Sequence, residues 1–215
     1  TVDEEQINIF RVIDNKLYIP GHDSRNSWDY GNYYYLDSKW NKVRTIPEGI
    51  HVYDMARYNG RLFAATGTNG PSEVVYSEDD GATWNSVKSS FITPGARAYS
   101  LFEFKGKLYS SSTFVNEDGY SINNLLCFNG SDVSVVKISG KDMFPGLDNS
   151  YYLKLTRIEV VNDKLLYMAG MTSNDHQYVP KALYLSTEIG TGQKITLGDA
   201  GALPFDMLVR GSTVY

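Results

Sequence analysis

The sequence predicts an all-β chain, a β-propeller of four-stranded antiparallel blades, on three observations. An apolar-alternating stretch, a tight polar turn and then a Leu or Val beside an aromatic recur five times along the 215 residues. The residues just past those turns, Leu17, Leu62, Leu108, Leu165 and Val214, lie 45, 46, 57 and 49 residues apart. That spacing suits a four-stranded blade and exceeds a two-helix repeat of about 34 residues. No segment places apolar residues at a helical period with capping residues at its ends.

The first predicted blade covers about 8–50. It opens with the hairpin "IFRVIDNKLYIPG" (9–21) and continues through "GNYYYLD" and "KWNKVRT", which meet at Asp37-Ser38. The second, about 51–97, has "DMARYNGRLFAATG" followed by "SEVVYSEDD" and "TWNSVKS" around Asp80-Gly81. The third, about 98–150, has "SLFEFKGKLYSSS", "NNLLCFNG" and "DVSVVKIS", turning at Asn129-Gly130. The fourth, about 151–203, has "RIEVVNDKLLYMAG", "KALYLSTE" and "QKITLG", turning at Gly190-Thr191-Gly192. Asn, Asp and Gly between alternating runs are hairpin signals because they tolerate positive φ. Residues 204–215 open a fifth unit with "MLVRGSTVY". The expectation is one propeller domain, or a fragment of one, over 1–215, completed by further blades of the parent chain or by another chain.

The bulk chemistry excludes several partner classes. A net charge of −5 argues against nucleic acid, and no run of 18 apolar residues offers a membrane span. One cysteine allows no internal disulfide, and with three scattered histidines it allows no zinc spacing. Cys127 sits in an apolar run and is expected to be a buried thiol. No cofactor and no metal are expected.

Candidate ligand-binding residues fall in the loops, which in stacked architectures carry the binding surface. The segment "GHDSRNSWDY" (21–30) gathers His22, Asp23, Arg25, Trp28 and Asp29, an aromatic and polar set suited to sugar stacking and hydroxyl recognition. It equally suits a loop packed on its own blade. "GIHVYDMAR" places His51 and Asp54 just ahead of an inner strand, near the channel mouth, with Arg57 following. The plainer reading of this stretch is a blade-connecting turn with surface polar groups. Asp175 and His176, in "SNDHQY", read as a solvated loop.

One short stretch, "SEDDGATW", has Ser77, Asp79, Gly81, Thr83 and Trp84 at fixed steps. It resembles the Asp-box of sialidases and related propellers, Ser/Thr-x-Asp-x-Gly-x-Thr/Ser-Trp, at all five fixed positions. The resemblance implies a hairpin turn between third and fourth strands, on the side away from the active site. Physically, Gly81 supplies a left-handed position, Asp79 accepts backbone N–H groups across the turn, and Trp84 anchors it. "YLDSKW" and "CFNGSDV" read as eroded copies.

The same resemblance implies, for a sialidase, three arginines on a substrate carboxylate, a Tyr–Glu nucleophile and an Asp acid/base. Phe10-Arg11-Val12 matches the first arginine motif in part, with Ile13 where proline is expected. Counted back from the post-turn anchors, Arg11, Arg57 and Arg210 lie at −6, −5 and −4, so strand alternation turns Arg57 away from the other two. The expected function is therefore a non-catalytic recognition or scaffold propeller, extracellular or at the cell surface and of bacterial type. It would bind a glycan or protein through its loop face. The alternative is a sialidase-like glycoside hydrolase fragment with incomplete catalytic groups.

Overall fold

The computed structural model describes residues 2–22, 28–67, 74–87, 97–115, 121–129, 134–147, 153–172, 178–198 and 201–215. Asp23, Arg25, Asp175 and His176 lie outside them, as do parts of the long loops between second and third strands.

Four antiparallel sheets of four strands follow one another along the chain. The first comprises β1 (Arg11–Ile13), β2 (Lys16–Pro20), β3 (Tyr30–Leu36) and β4 (Trp40–Pro47). The second comprises β5 (His51–Tyr58), β6 (Arg61–Gly67), β7 (Val74–Ser77) and β8 (Asn85–Ser86). The third comprises β9 (Arg97–Phe104), β10 (Lys107–Val115), β11 (Ser121–Asn129) and β12 (Ser134–Ser139). The fourth comprises β13 (Leu153–Val161), β14 (Lys164–Thr172), β15 (Tyr178–Ser186) and β16 (Gln193–Ile195). A separate hairpin, β17 (Val209–Arg210) with β18 (Thr213–Val214), opens the fifth unit. One departure from the all-β expectation is a single helical turn, α1 (Gly140–Met143), in the long connection after the third sheet.

The recurring polar turns are two-residue hairpins with both φ angles positive. Asp14-Asn15, Asn59-Gly60, Lys105-Gly106 and Asn162-Asp163 all take this form. That geometry matches the right-handed twist of the flanking strands and explains the Asn, Asp and Gly at those positions.

The inner strands of the second and third sheets are sandwiched between blades, which accounts for their nearly unbroken apolar runs. On β6, Leu62 and Ala64 pack toward the first blade with Tyr33 and Ile46, whereas Phe63 and Ala65 pack toward the third with Leu101 and Phe128. On β11, Leu126 and Phe128 join the second blade's side, and Leu125 with buried Cys127 faces the fourth blade. Alternation therefore divides side chains between two apolar interfaces rather than between core and solvent. The outer face of the fourth blade meets Met207, just ahead of the terminal hairpin.

The 77–84 turn fastens the second blade to the first. Asp79 Oδ1 accepts from Thr83 N at 2.8 Å and Oδ2 from Thr83 Oγ1 at 2.6 Å, while Ser77 Oγ donates to Asp79 at 2.7 Å. Gly81 N donates to Ser77 Oγ at 2.7 Å. Gly81 has φ +91, and a Cβ there would lie 2.0 Å from the Tyr33 hydroxyl. Trp84 Nε1 donates to Thr45 Oγ1 at 3.0 Å, and its ring meets Tyr33 edge-on, both partners being in the first blade.

Candidate functional site

The first strands of all four blades, β1, β5, β9 and β13, surround a cavity of about 400 Å³. Arg11, Tyr53, Asp54, Tyr99, Arg157 and Glu159 are among its lining residues, with His22 at the rim. The cavity thus sits where blade-entering segments converge, at the end of β5 opposite its hairpin turn.

Asp54 is the structural centre. Arg11 donates to it through Nε and Nη2, both at 2.6 Å, in a bidentate pair. Met55 N donates to Oδ1 and Leu101 N to Oδ2, each at 2.8 Å. All four acceptor positions of the carboxylate are therefore filled. The Leu101 N–H belongs to β9, the edge strand of its sheet, and finds in Asp54 the partner a ladder would otherwise supply. Burial would lower the Arg11 pKa, but the hydrogen bond and charge of Asp54, with Glu159 adding to them, hold it above its ordinary value.

This position corrects the surface-turn reading of "GIHVYDMAR". His51 and Asp54 lie inside β5, and the Asp54 side chain is only 1% exposed. An aspartate in a strand looked like a surface group because its partners are 43 and 47 residues away in sequence.

An aromatic series runs along the rim. His51 Nδ1 lies against the His22 carbonyl oxygen. The His22 and His51 centroids are 5.0 Å apart, His51 stacks on Tyr53 at 5.5 Å, and Tyr53 meets Tyr99 at 4.9 Å with a 53° tilt. Gly67, at the end of β6, makes room for this series. A Cβ there would fall 2.7 Å from the Tyr53 ring and 2.8 Å from Arg97 Cδ.

Of the sequence-derived candidates, the structure brings His22, His51 and Asp54 together. Trp28 and Asp29 are exposed beside β3 and are not among the cavity's lining residues; the Asp29 carbonyl accepts from Glu48 N at 2.8 Å. Arg57 is at the far end of β5. It donates to Asp14 at 2.8 Å and to Asp80 at 2.7 Å, joining the β1–β2 turn to the 77–84 turn. Strand direction explains the separation, since five residues of β-strand intervene between His51 and Arg57.

The cavity residues that sequence reasoning passed over are Tyr53, Tyr99, Arg157 and Glu159. The repeat windows begin at Asp54, Ser100 and Arg157, so the two tyrosines fell one residue outside them. The available signal was the Tyr in "VYDMARYNG" and "AYSLFEFKG", five residues before the first hairpin-closing aromatic in each. Among the described residues, no group of three or more His, Cys, Asp or Glu is placed to hold a metal ion. Nor is any helix long and apolar enough to cross a membrane.

The chain matches no protein-family model, and no curated protein matches it. Solved structures do resemble it. An endo-arabinase from Bacteroides thetaiotaomicron aligns with 86% of this chain and 78% of its own at 13% identity and a TM-score of 0.53. An α-L-arabinofuranosidase from Clostridium thermocellum aligns over 95% and 78% at 10% identity, with a TM-score of 0.57. A sialidase from Trypanosoma rangeli aligns over 81% of this chain and 30% of its own at 14% identity, with a TM-score of 0.52. Likeness at such identities speaks to architecture, and together with the four antiparallel sheets it establishes the fold as a β-propeller of the kind seen in these carbohydrate-active enzymes.

Proposed function

We propose that this chain is a carbohydrate-recognition propeller that binds a glycan at the channel mouth without cleaving it. The observation that carries the reading is the pairing, in one cavity, of an aromatic rim with a rigid polar floor. Half-buried rings at Tyr53 and Tyr99 suit the apolar face of a sugar, and the Arg11–Asp54 clamp fixes the floor beneath them. Asp54 has its four acceptor positions filled, so donating a proton to a leaving group would first require breaking that set. Glycoside hydrolysis ordinarily uses two carboxyl groups, and among the described residues Glu159 is the other carboxylate lining the cavity.

Hydrolysis is the second reading, and the structural neighbours favour it, being an arabinase, an arabinofuranosidase and a sialidase. In that case Glu159 would be the reacting carboxylate and Asp54 a fixed charge. The surrounding assignments follow the same line. The 77–84 turn is read as an Asp-box, supported by its Asp79 and Gly81 geometry. Residues 1–215 are read as one propeller domain, to be completed by blades from the parent chain or another chain. The location is read as extracellular or at the cell surface.

Titration calorimetry against a set of neutral and acidic oligosaccharides, paired with a reducing-sugar assay on the same samples, separates the readings. Binding with no product release is the expected result. Product release that Glu159→Gln abolishes would replace it with the hydrolase reading. Absence of any glycan binding, alongside specific capture of a protein ligand, would move the function to protein recognition.

A further inference from the structure

The first strands of three successive blades carry one bulge each, and the bulges fall at the cavity. In β5, Val52 pairs with Thr66 and Asp54 with Ala65, so Tyr53 is the extra residue. In β9, Ala98 pairs with Ser112 and Ser100 with Ser111, which leaves Tyr99. In β13, Thr156 pairs with Met168 and Ile158 with Tyr167, which leaves Arg157. A regular strand points consecutive side chains to opposite faces, but a bulge lets two neighbours share one. The cavity shows this outcome three times over: its lining includes both members of 53–54, 99–100 and 157–158.

We propose that these bulges build a subsite for one neutral sugar residue, with Tyr53 and Tyr99 as its stacking wall and Arg157 as its hydrogen-bonding wall. The assignment rests on the carbohydrate reading and adds the residues that would select the ligand. The two rings meet at 53° and 4.9 Å, forming a shallow V rather than a closed stack. Tyr33, Tyr167 and Tyr184 are buried in the blade interfaces, whereas Tyr53 and Tyr99 keep part of their surface open.

Arg157 stands at φ +47, left-handed for a non-glycine residue and outside any hairpin turn. Backbone held in this way collects at binding sites. Its Nε donates to Asp206 Oδ1 at 2.6 Å, which orients the guanidinium while the side chain stays 49% exposed. The charges at the site largely cancel. Both arginines of the lining are paired, Arg11 with Asp54 and Arg157 with Asp206. Such a balance suits hydroxyl groups better than a carboxylate.

Calorimetry of the purified chain with arabinobiose and with sialyllactose, as neutral and acidic probes, tests the subsite. The unmodified chain is expected to bind arabinobiose more tightly. Tyr53→Ala and Tyr99→Ala should each weaken it about 10-fold, the scale of an aromatic contact. Tyr53→Phe and Tyr99→Phe should stay within about 3-fold, because the ring is retained. Arg157→Gln should weaken binding about 10-fold, and the exposed Lys39→Ala should leave it unchanged.

Should an alanine variant fail to fold, saturation-transfer NMR on the unmodified chain supplies the same answer, since aromatic irradiation must reach the sugar protons. Arabinobiose binding that is indifferent to all three positions, or that shows no aromatic transfer, overturns the subsite and leaves the carbohydrate reading standing. Tighter binding of sialyllactose overturns the neutral-ligand assignment. No binding of either probe, or of any oligosaccharide in a wider set, removes the carbohydrate reading itself.

Discussion

Asp54 accepts hydrogen bonds from three inner strands, so its removal leaves a half-buried guanidinium and two backbone N–H groups without their acceptor. Breaking one side of a buried pair costs about 3–5 kcal/mol. Asp54→Ala is therefore expected to lower stability by about that much in urea unfolding, and Asp54→Asn by less because it keeps one acceptor oxygen. A change under about 1 kcal/mol would show that the clamp does little for the fold. Asp79 offers a pH test. Hydrogen bonds from the Thr83 hydroxyl and N–H, then from Ser77, hold its carboxyl at about 2, below the ordinary 3.8. The unfolded chain takes up the proton first as pH falls, so this group's contribution is complete above about pH 4 and lost on descent through about 2. Carboxyl NMR of Asp79 should titrate near about 2, and Asp79→Asn should flatten the stability profile between those limits. The two aspartates also differ in how far the sequence disclosed them. Asp79 declares its role through neighbours within four residues, whereas Asp54 depends on partners more than forty residues distant, which local pattern does not register.

At the level of strands and turns, local chemistry and structure agree most closely in the hairpins. Asn59-Gly60 and Asp14-Asn15 mark two-residue turns in the sequence and are such turns in the fold. Gly81 belongs to the same class with a tighter constraint. Gly81→Ala must place a Cβ in the left-handed region and against the Tyr33 hydroxyl, so we expect a loss of about 1–3 kcal/mol by thermal or urea unfolding. A double variant with Tyr33→Phe should recover part of it, since the oxygen 2.0 Å from that Cβ is then gone. The bulges were not legible in the same way. A bulge is defined by the partner strand's count, and nothing in "VYDMAR" states that Val52 and Asp54 oppose adjacent residues of β6. The bulged positions, Tyr53 and Tyr99, are thus set by a feature that strict alternation does not register.

The molecule as a whole has apolar surface at both flanks of its blade series. Val12 on β1 is 75% exposed, and Phe205, Leu208 and Tyr215 around the terminal hairpin are 72%, 65% and 71% exposed. Beside that hairpin, an apolar groove of about 570 Å³ runs along the outer face of the fourth blade. Exposed patches of this kind bind apolar dyes and promote association. The purified chain is expected to enhance anilinonaphthalene sulfonate fluorescence and to elute earlier as concentration rises. Leu208→Glu with Phe205→Ser should reduce both; dye binding unaffected by that pair would place the patch elsewhere. The four successive sheets were readable from the 45–57 residue spacing because each repeats one local recipe. The arrangement in the cavity between β1, β5, β9 and β13 was not, since it arises only when blades meet.

That meeting has a consequence in time. The acceptors on Asp54 are satisfied by Arg11, 43 residues earlier, and by Leu101, 47 residues later. At a synthesis rate of roughly 5–20 residues per second, the carboxylate waits roughly 2–10 s on a growing chain for its last donor. During that interval the first two blades can pack their shared apolar interface, but the floor of the cavity stays hydrated and unset. The floor of the cavity is thus set only after β9 of the third blade emerges, and its wall is complete only with β13 of the fourth, however early the first two blades have folded.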